Sequence, residues 1–251
     1  SSFSAQEVTK YWRSKGSYGL PVPGSDKPEL RKRIRTVYLA IDRPKVVSSI
    51  SLIQLASKQK WDDLTLPLSI MFATLCGMAI MPLIYNAFFY GAMRYNFMLW
   101  HSVMIAATVC YTFSSSGLIF LVFPETSLIT KMLLNYWTLA IGVSAGGFFL
   151  LRFVEPGKIA PWLKVIITVT ALLPVIVTAS VMRIDGGYSM DARNYYHASF
   201  LPVFFVVLYA MGHALRRGSR AIWYQIAGWT PIILFSLDRV ARGMDLYIGW
   251  P

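Results

Sequence analysis

Residues 161–182 read PWLKVIITVTALLPVIVTASVM, a stretch whose one charge is Lys164 near its start. At 1.5 Å of rise per residue, such a run is long enough to cross a hydrocarbon core of about 30 Å as a helix. Five more apolar stretches accompany it, at approximately 65–91, 96–122, 128–153, 195–215 and 220–243, divided by short linkers rich in Pro, Gly and charge. Backbone polar groups in lipid must pair within the segment, and the period-2 alternation of an outer-membrane barrel is missing. The expected fold is therefore an all-α polytopic membrane helix bundle of six spans over residues 63–251.

The composition agrees. Hydrophobic residues make up 55% of the 251 residues, charged residues only 14%, and the mean hydropathy is +0.50. A soluble domain of this length is rarely so apolar. The net charge of +12 is then expected at membrane edges and in one soluble segment, which makes the lipid bilayer the partner and excludes a nucleic-acid-binding face. Cys76 and Cys110 both fall in apolar runs, so no disulfide framework is implied.

Residues 1–62 carry many basic residues and no spanning run. A loop marked by Gly16, Gly19, Pro21, Pro23 and Gly24 leads to an expected strand at 36–41, ended by Asp42-Arg43-Pro44, and to a second at 46–55. Two strands bury too little to stand alone. We therefore expect this short β-containing segment to be the end of a larger β domain, and the sequence to be a piece of a longer chain.

Linker charge predicts the orientation. Arg94, then Arg152, Lys158 and Lys164, then Arg216, Arg217 and Arg220 follow spans one, three and five. Lys131, Arg183 and Arg193, offset by Glu125, Asp185 and Asp191, mark the other side. The positive-inside rule puts the first set in the cytoplasm and the N-terminal segment outside. An output in the cytoplasm then needs a seventh helix.

Polar groups inside spans are functional candidates because burying them in lipid is costly. Asn86 lies late in span one, His101 early in span two and His197 at the start of span five. Gly142 and Gly146 have the GxxxG spacing that lets helices approach closely, and Arg152 closes span three. Asp238 and Arg242 stand four apart on one helix face, where they can pair. These eight are the candidate structural or signalling residues. The three histidines suggest neither a haem pair nor a metal triad, and no GxGxxG, phosphate loop, HExxH, GxSxG or buried carboxylate pair occurs. No catalytic, cofactor or metal residue is therefore assigned.

From about 64 to 243 the order of landmarks resembles the bacterial seven-transmembrane receptors with diverse intracellular signalling modules. Tyr85-Asn86 followed by Arg94-Tyr95 is similar to that family's YN…RD…Y passage, although Asn96 and the missing Asp after Arg94 depart from it. Gly117, Arg152-Phe153 with Pro161-Trp162, and Arg217-Gly218-Ser219-Arg220-Ala221 before Trp223 and Gly228 are similar to further landmarks. The resemblance implies a jelly-roll domain outside the cell, an unknown ligand there, a homodimer formed through other parts, and a cytoplasmic diguanylate cyclase or histidine kinase. It further implies a multi-pass protein of the bacterial inner membrane. The expected function is a sensor module without enzymatic activity in these residues. The alternative is a small-molecule transporter or channel subunit, against which no internal repeat and no polar cluster at mid-span is visible.

Overall fold

The computed structural model describes the backbone of residues 12–13, 17–18, 58–184 and 190–243, and side chains mainly within 66–181 and 194–230. Two short strands, β1 (Trp12–Arg13) and β2 (Ser17–Tyr18), pair antiparallel with Trp12 opposite Tyr18. The strands expected at 36–41 and 46–55 lie outside the described residues.

The rest is helical: α1 (Lys58–Met93), α2 (Asn96–Ser115), α3 (Ile119–Val122), α4 (Leu128–Phe153), α5 (Pro161–Ile184), α6 (Met190–Ala198), α7 (Phe200–Arg216) and α8 (Ala221–Gly243). Among the described residues, five stretches are long and apolar enough to cross a membrane: Leu66–Met93, Asn96–Ser115, Leu128–Phe153, Pro161–Val181 and Asn194–Arg216. The expected sixth span coincides with α8, several of whose side chains lie outside the described residues.

One expected span is interrupted, for a local reason. The stretch 96–122 is not one helix: α2 stops at Ser115, Gly117 takes φ +82°, and α3 resumes at Ile119. Glycine enters that left-handed region without the Cβ penalty. Ser115 and Ser116 donate to the carbonyls of Thr112 and Phe113 at 3.4 and 3.3 Å, competing with helix continuation. Within 195–215, a turn at Ser199 divides α6 from α7, with helical dihedrals at Ser199 and the membrane-length stretch Asn194–Arg216 running through it. Pro202 has no N–H for the carbonyl of Ala198, and the Ser199 hydroxyl donates to the Tyr196 carbonyl at 2.6 Å.

The backbone divides into two compact units, residues 1–77 with 110–135 and residues 78–109 with 136–251. In the first, Ser127 caps α4 by accepting the Thr130 N–H at 3.0 Å. That start draws Lys131 into the first helical turn. Although counted with the linker cations above, Lys131 is buried, with its ammonium 5.5 Å from the Phe120 ring centre. The Ser114 hydroxyl donates to the Lys131 carbonyl at 3.1 Å, tying α2 to α4.

The second unit holds the main core. Leu150 and Val154 of α4, Leu163 and Ile167 of α5, Val203, Val207, Ala210, Met211 and Ala214 of α7, and Ile222 of α8 are buried together. The faces of α5 turned from this cluster, with Val165, Val169 and Ile176, are exposed as lipid-facing surfaces are. A second cluster packs Ala140, Tyr196, Phe200 and Phe204, and the Tyr196 hydroxyl donates to the Tyr136 carbonyl at 3.0 Å.

Candidate functional site

Four helices of the second unit meet around His101. Asn86 of α1 places Nδ2 2.8 Å from His101 Nδ1. With the amide as donor, Nδ1 is the acceptor and the neutral ring carries its proton on Nε2. The imidazole lies 5.2 Å from the Phe149 ring of α4, and Phe149 stacks on Trp229 of α8 at 5.9 Å. Phe97 and Phe153 extend the cluster, with Phe149 and Phe153 stacked at 5.0 Å. Hydrogen bonds between membrane helices contribute about 0.6 kcal/mol on average, so Asn86–His101 orients the ring more than it holds the bundle.

Gly146 sits beside this cluster. A Cβ there would stand 3.3 Å from the Trp229 ring and 3.7 Å from the Met104 sulfur. The absent side chain is what lets the indole lie against α4. Gly142, one turn earlier, would bring a Cβ to 3.4 Å from Ala107, an ordinary contact. The GxxxG pair thus serves two different neighbours. The tightest approach belongs to Gly147, absent from the sequence-derived candidates: its Cβ would fall 2.7 Å from that of Ala171 on α5. Beside it the Ser144 hydroxyl donates to the Ala171 carbonyl at 2.5 Å. That bond lies next to the Thr170 carbonyl, which loses its helical donor to Pro174. The Gly146-Gly147 doublet was the available signal, hidden because the i, i+4 rule looks only at one face.

A second constellation joins the 154–160 loop to the 217–220 turn. The Glu155 carboxylate accepts from the Ser219 hydroxyl and, at 3.0 Å each, from the backbone N–H groups of Arg220 and Ala221. These are N–H groups that the start of α8 cannot satisfy within the helix. The Ser219 hydrogen bond, with the Ala221 N–H next, holds the Glu155 carboxyl down from 4.5 to about 2. In return Lys158 Nζ donates to the Arg217 carbonyl at 2.6 Å, and the Arg217 guanidinium donates to the Gly157 carbonyl at 3.1 Å. Gly157 and Gly218 take φ +84° and +72°, which makes both turns. In the sequence Lys158 stood out only as an orientation charge, Arg217 as an orientation charge and part of the 217–221 landmark, and Glu155 not at all.

The other candidates stand apart from both constellations. His197 is buried in α6 with its ring edge-on to Tyr196 at 5.1 Å. Arg152 is exposed in the last turn of α4. Asp238 lies on α8, and the side chain of Arg242 falls outside the described residues. His213 Nε2 and both amide atoms of Gln225 are buried without a hydrogen-bond partner among the described residues. No cluster of three or more metal-ligating side chains occurs among them either.

Residues 68–250 match the family 7TM diverse intracellular signalling. The chain belongs to that family. The match spans every helix from α2 to α8 and nearly all of the apolar part of α1, so both constellations lie within the 7TM diverse intracellular signalling domain. No curated protein and no solved structure matches the chain. Membership makes this a membrane sensor or receptor module.

Proposed function

We propose that the chain passes a signal received outside the cell to a cytoplasmic output of the diguanylate cyclase or histidine kinase type, in a homodimeric receptor of the bacterial inner membrane. The observation that carries this is the packing of Trp229 on α8 against Gly146 and Phe149 of α4, beside the Asn86–His101 pair. Helix α8 is the element closest in sequence to any output that follows, and its N-terminus is pinned by Glu155. A ligand shifts such a joint only through unequal affinity for two packings. Large aromatic faces meeting at a glycine supply two packings at modest cost, because the rings slide without opening a cavity.

Gly146→Leu tests the joint. Leucine at this position displaces Trp229, and coupling changes of 0.5–2 kcal/mol correspond to roughly 2- to 30-fold in equilibrium. In the full-length receptor, basal output should shift by such a factor while membrane insertion is retained. A variant with normal membrane level and the output of the parent removes the joint from the mechanism.

The proposed orientation has the N-terminal segment outside and the 216–220 turn in the cytoplasm. Single cysteines in a Cys76→Ala, Cys110→Ala background report it: an impermeant maleimide applied to intact spheroplasts should label residue 187 and spare the exposed residue 216. Labelling in the reverse pattern would invert the topology and sink the receptor proposal with it.

A further inference from the structure

The ends of α4 and α5 enclose a cleft of about 230 Å³, lined by Leu151, Arg152, Val154, Glu155, Ile159 and Lys164 together with Pro156. We infer that this cleft binds the phosphate of an anionic phospholipid, with the glycerol and upper acyl carbons against its apolar floor.

Four of the cations at this end of the bundle divide into two kinds. Lys158 and Arg217 are consumed by the backbone carbonyls of the two turns. Arg152 and Lys164 are exposed, line the cleft, and meet no acceptor among the described residues. The carboxylate in the wall does not occupy them, because Glu155 is already engaged by Ser219, Arg220 and Ala221. Charge complementarity therefore calls for an anion.

Position and floor identify its source. Arg152 stands in the last turn of one membrane-length stretch and Lys164 in the first turn of the next, so both charges lie at headgroup level. Trp162, half exposed beside them, is the aromatic expected at that depth. Leu151, Val154, Ile159 and Pro156 form a floor that a soluble anion does not need and a lipid does. Basic pockets between membrane helices are known to take phospholipid headgroups.

The test compares lipid retained by the detergent-purified full chain and its variants, by native mass spectrometry after exposure to equal phosphatidylglycerol and phosphatidylcholine. The parent should hold phosphatidylglycerol in preference. Near-surface cations are each worth a severalfold factor in binding anionic lipid, so Arg152→Gln with Lys164→Gln should lower the preference by about tenfold or more. Arg152→Lys with Lys164→Arg keeps both charges and should keep the preference, which separates loss of charge from loss of fold. Arg216→Gln, outside the cleft, should leave it unchanged. Inorganic phosphate or glycerol phosphate in large excess should not displace the lipid. Equal retention by the parent and the double glutamine variant overturns the site, and displacement by the soluble anions overturns the lipid as its occupant. This outcome is independent of whether the bundle signals.

Discussion

Gly147→Leu should destabilise the helix bundle by about 2–4 kcal/mol, the largest single-residue effect expected in this domain. A bare Cβ at position 147 already falls 2.7 Å from the Ala171 Cβ, and both atoms are fixed to helix backbones. Neither can swing away as the end of a long side chain does, so α4 and α5 must separate. Overpacking of this kind costs roughly 1–3 kcal/mol. The separation also stretches the Ser144–Ala171 hydrogen bond, worth about 0.6 kcal/mol and at most about 1.7 in a membrane. Gly212→Leu is the matched control, because a Cβ there meets nothing within 4 Å. Helicity followed through a sodium dodecyl sulfate titration should show Gly147→Leu unfolding well before the parent and Gly212→Leu close to it. Coincident midpoints for the two variants would show that α4 and α5 are not packed as described.

The second large effect lies at Glu155, and it depends on pH. Removing the carboxylate with Glu155→Gln leaves the Arg220 and Ala221 N–H groups a weaker acceptor and takes negative charge from the start of α8. Loss of a helix cap costs typically about 1 kcal/mol, and the charge at a helix N-terminus about 0.3–1 kcal/mol more. The site is partly exposed, so solvent screening keeps the second contribution near its lower end. The folded-state carboxyl is depressed, from 4.5 to about 2. Its contribution is therefore complete above about pH 4.5, declines as the pH falls below that, and is gone once the folded carboxyl protonates near pH 2. Thermal midpoints of the parent and Glu155→Gln should differ most at pH 6, keep part of the gap at pH 3 and converge only as the pH falls to about 2. A gap that is constant or widens on acidification would mean that the carboxylate does not hold α8.

Much of this architecture was legible because lipid leaves few options. Apolar length predicted six spans, and five such stretches stand among the described residues, since backbone groups in hydrocarbon have no partner except their own helix. The order of Tyr85-Asn86, Arg94, Gly117, Arg152 and the 217–221 turn announced the family that residues 68–250 match. Where the reading failed, a local competitor prevailed over the apolar run. Gly117 and its serines cut 96–122 into two helices.

What hydropathy could not convey was partnership. Asn86 and His101 were each noticed as polar groups in a span, and their meeting depends on how α1 and α2 rotate about their axes. Glu155 looked like a loop acid, and its role exists only because the 217–220 turn folds back to present two N–H groups sixty-odd residues later. The amino-acid sequence by itself determined that this chain lives in a bilayer, roughly where its long apolar helices lie, and which family it joins, because those depend on length, polarity and local backbone preference. Tertiary structure alone decided which glycine bears the closest contact, which cations remain open to a ligand, and which acid pins α8, because each of these is a matter of what lies across a gap of 3 Å from another helix.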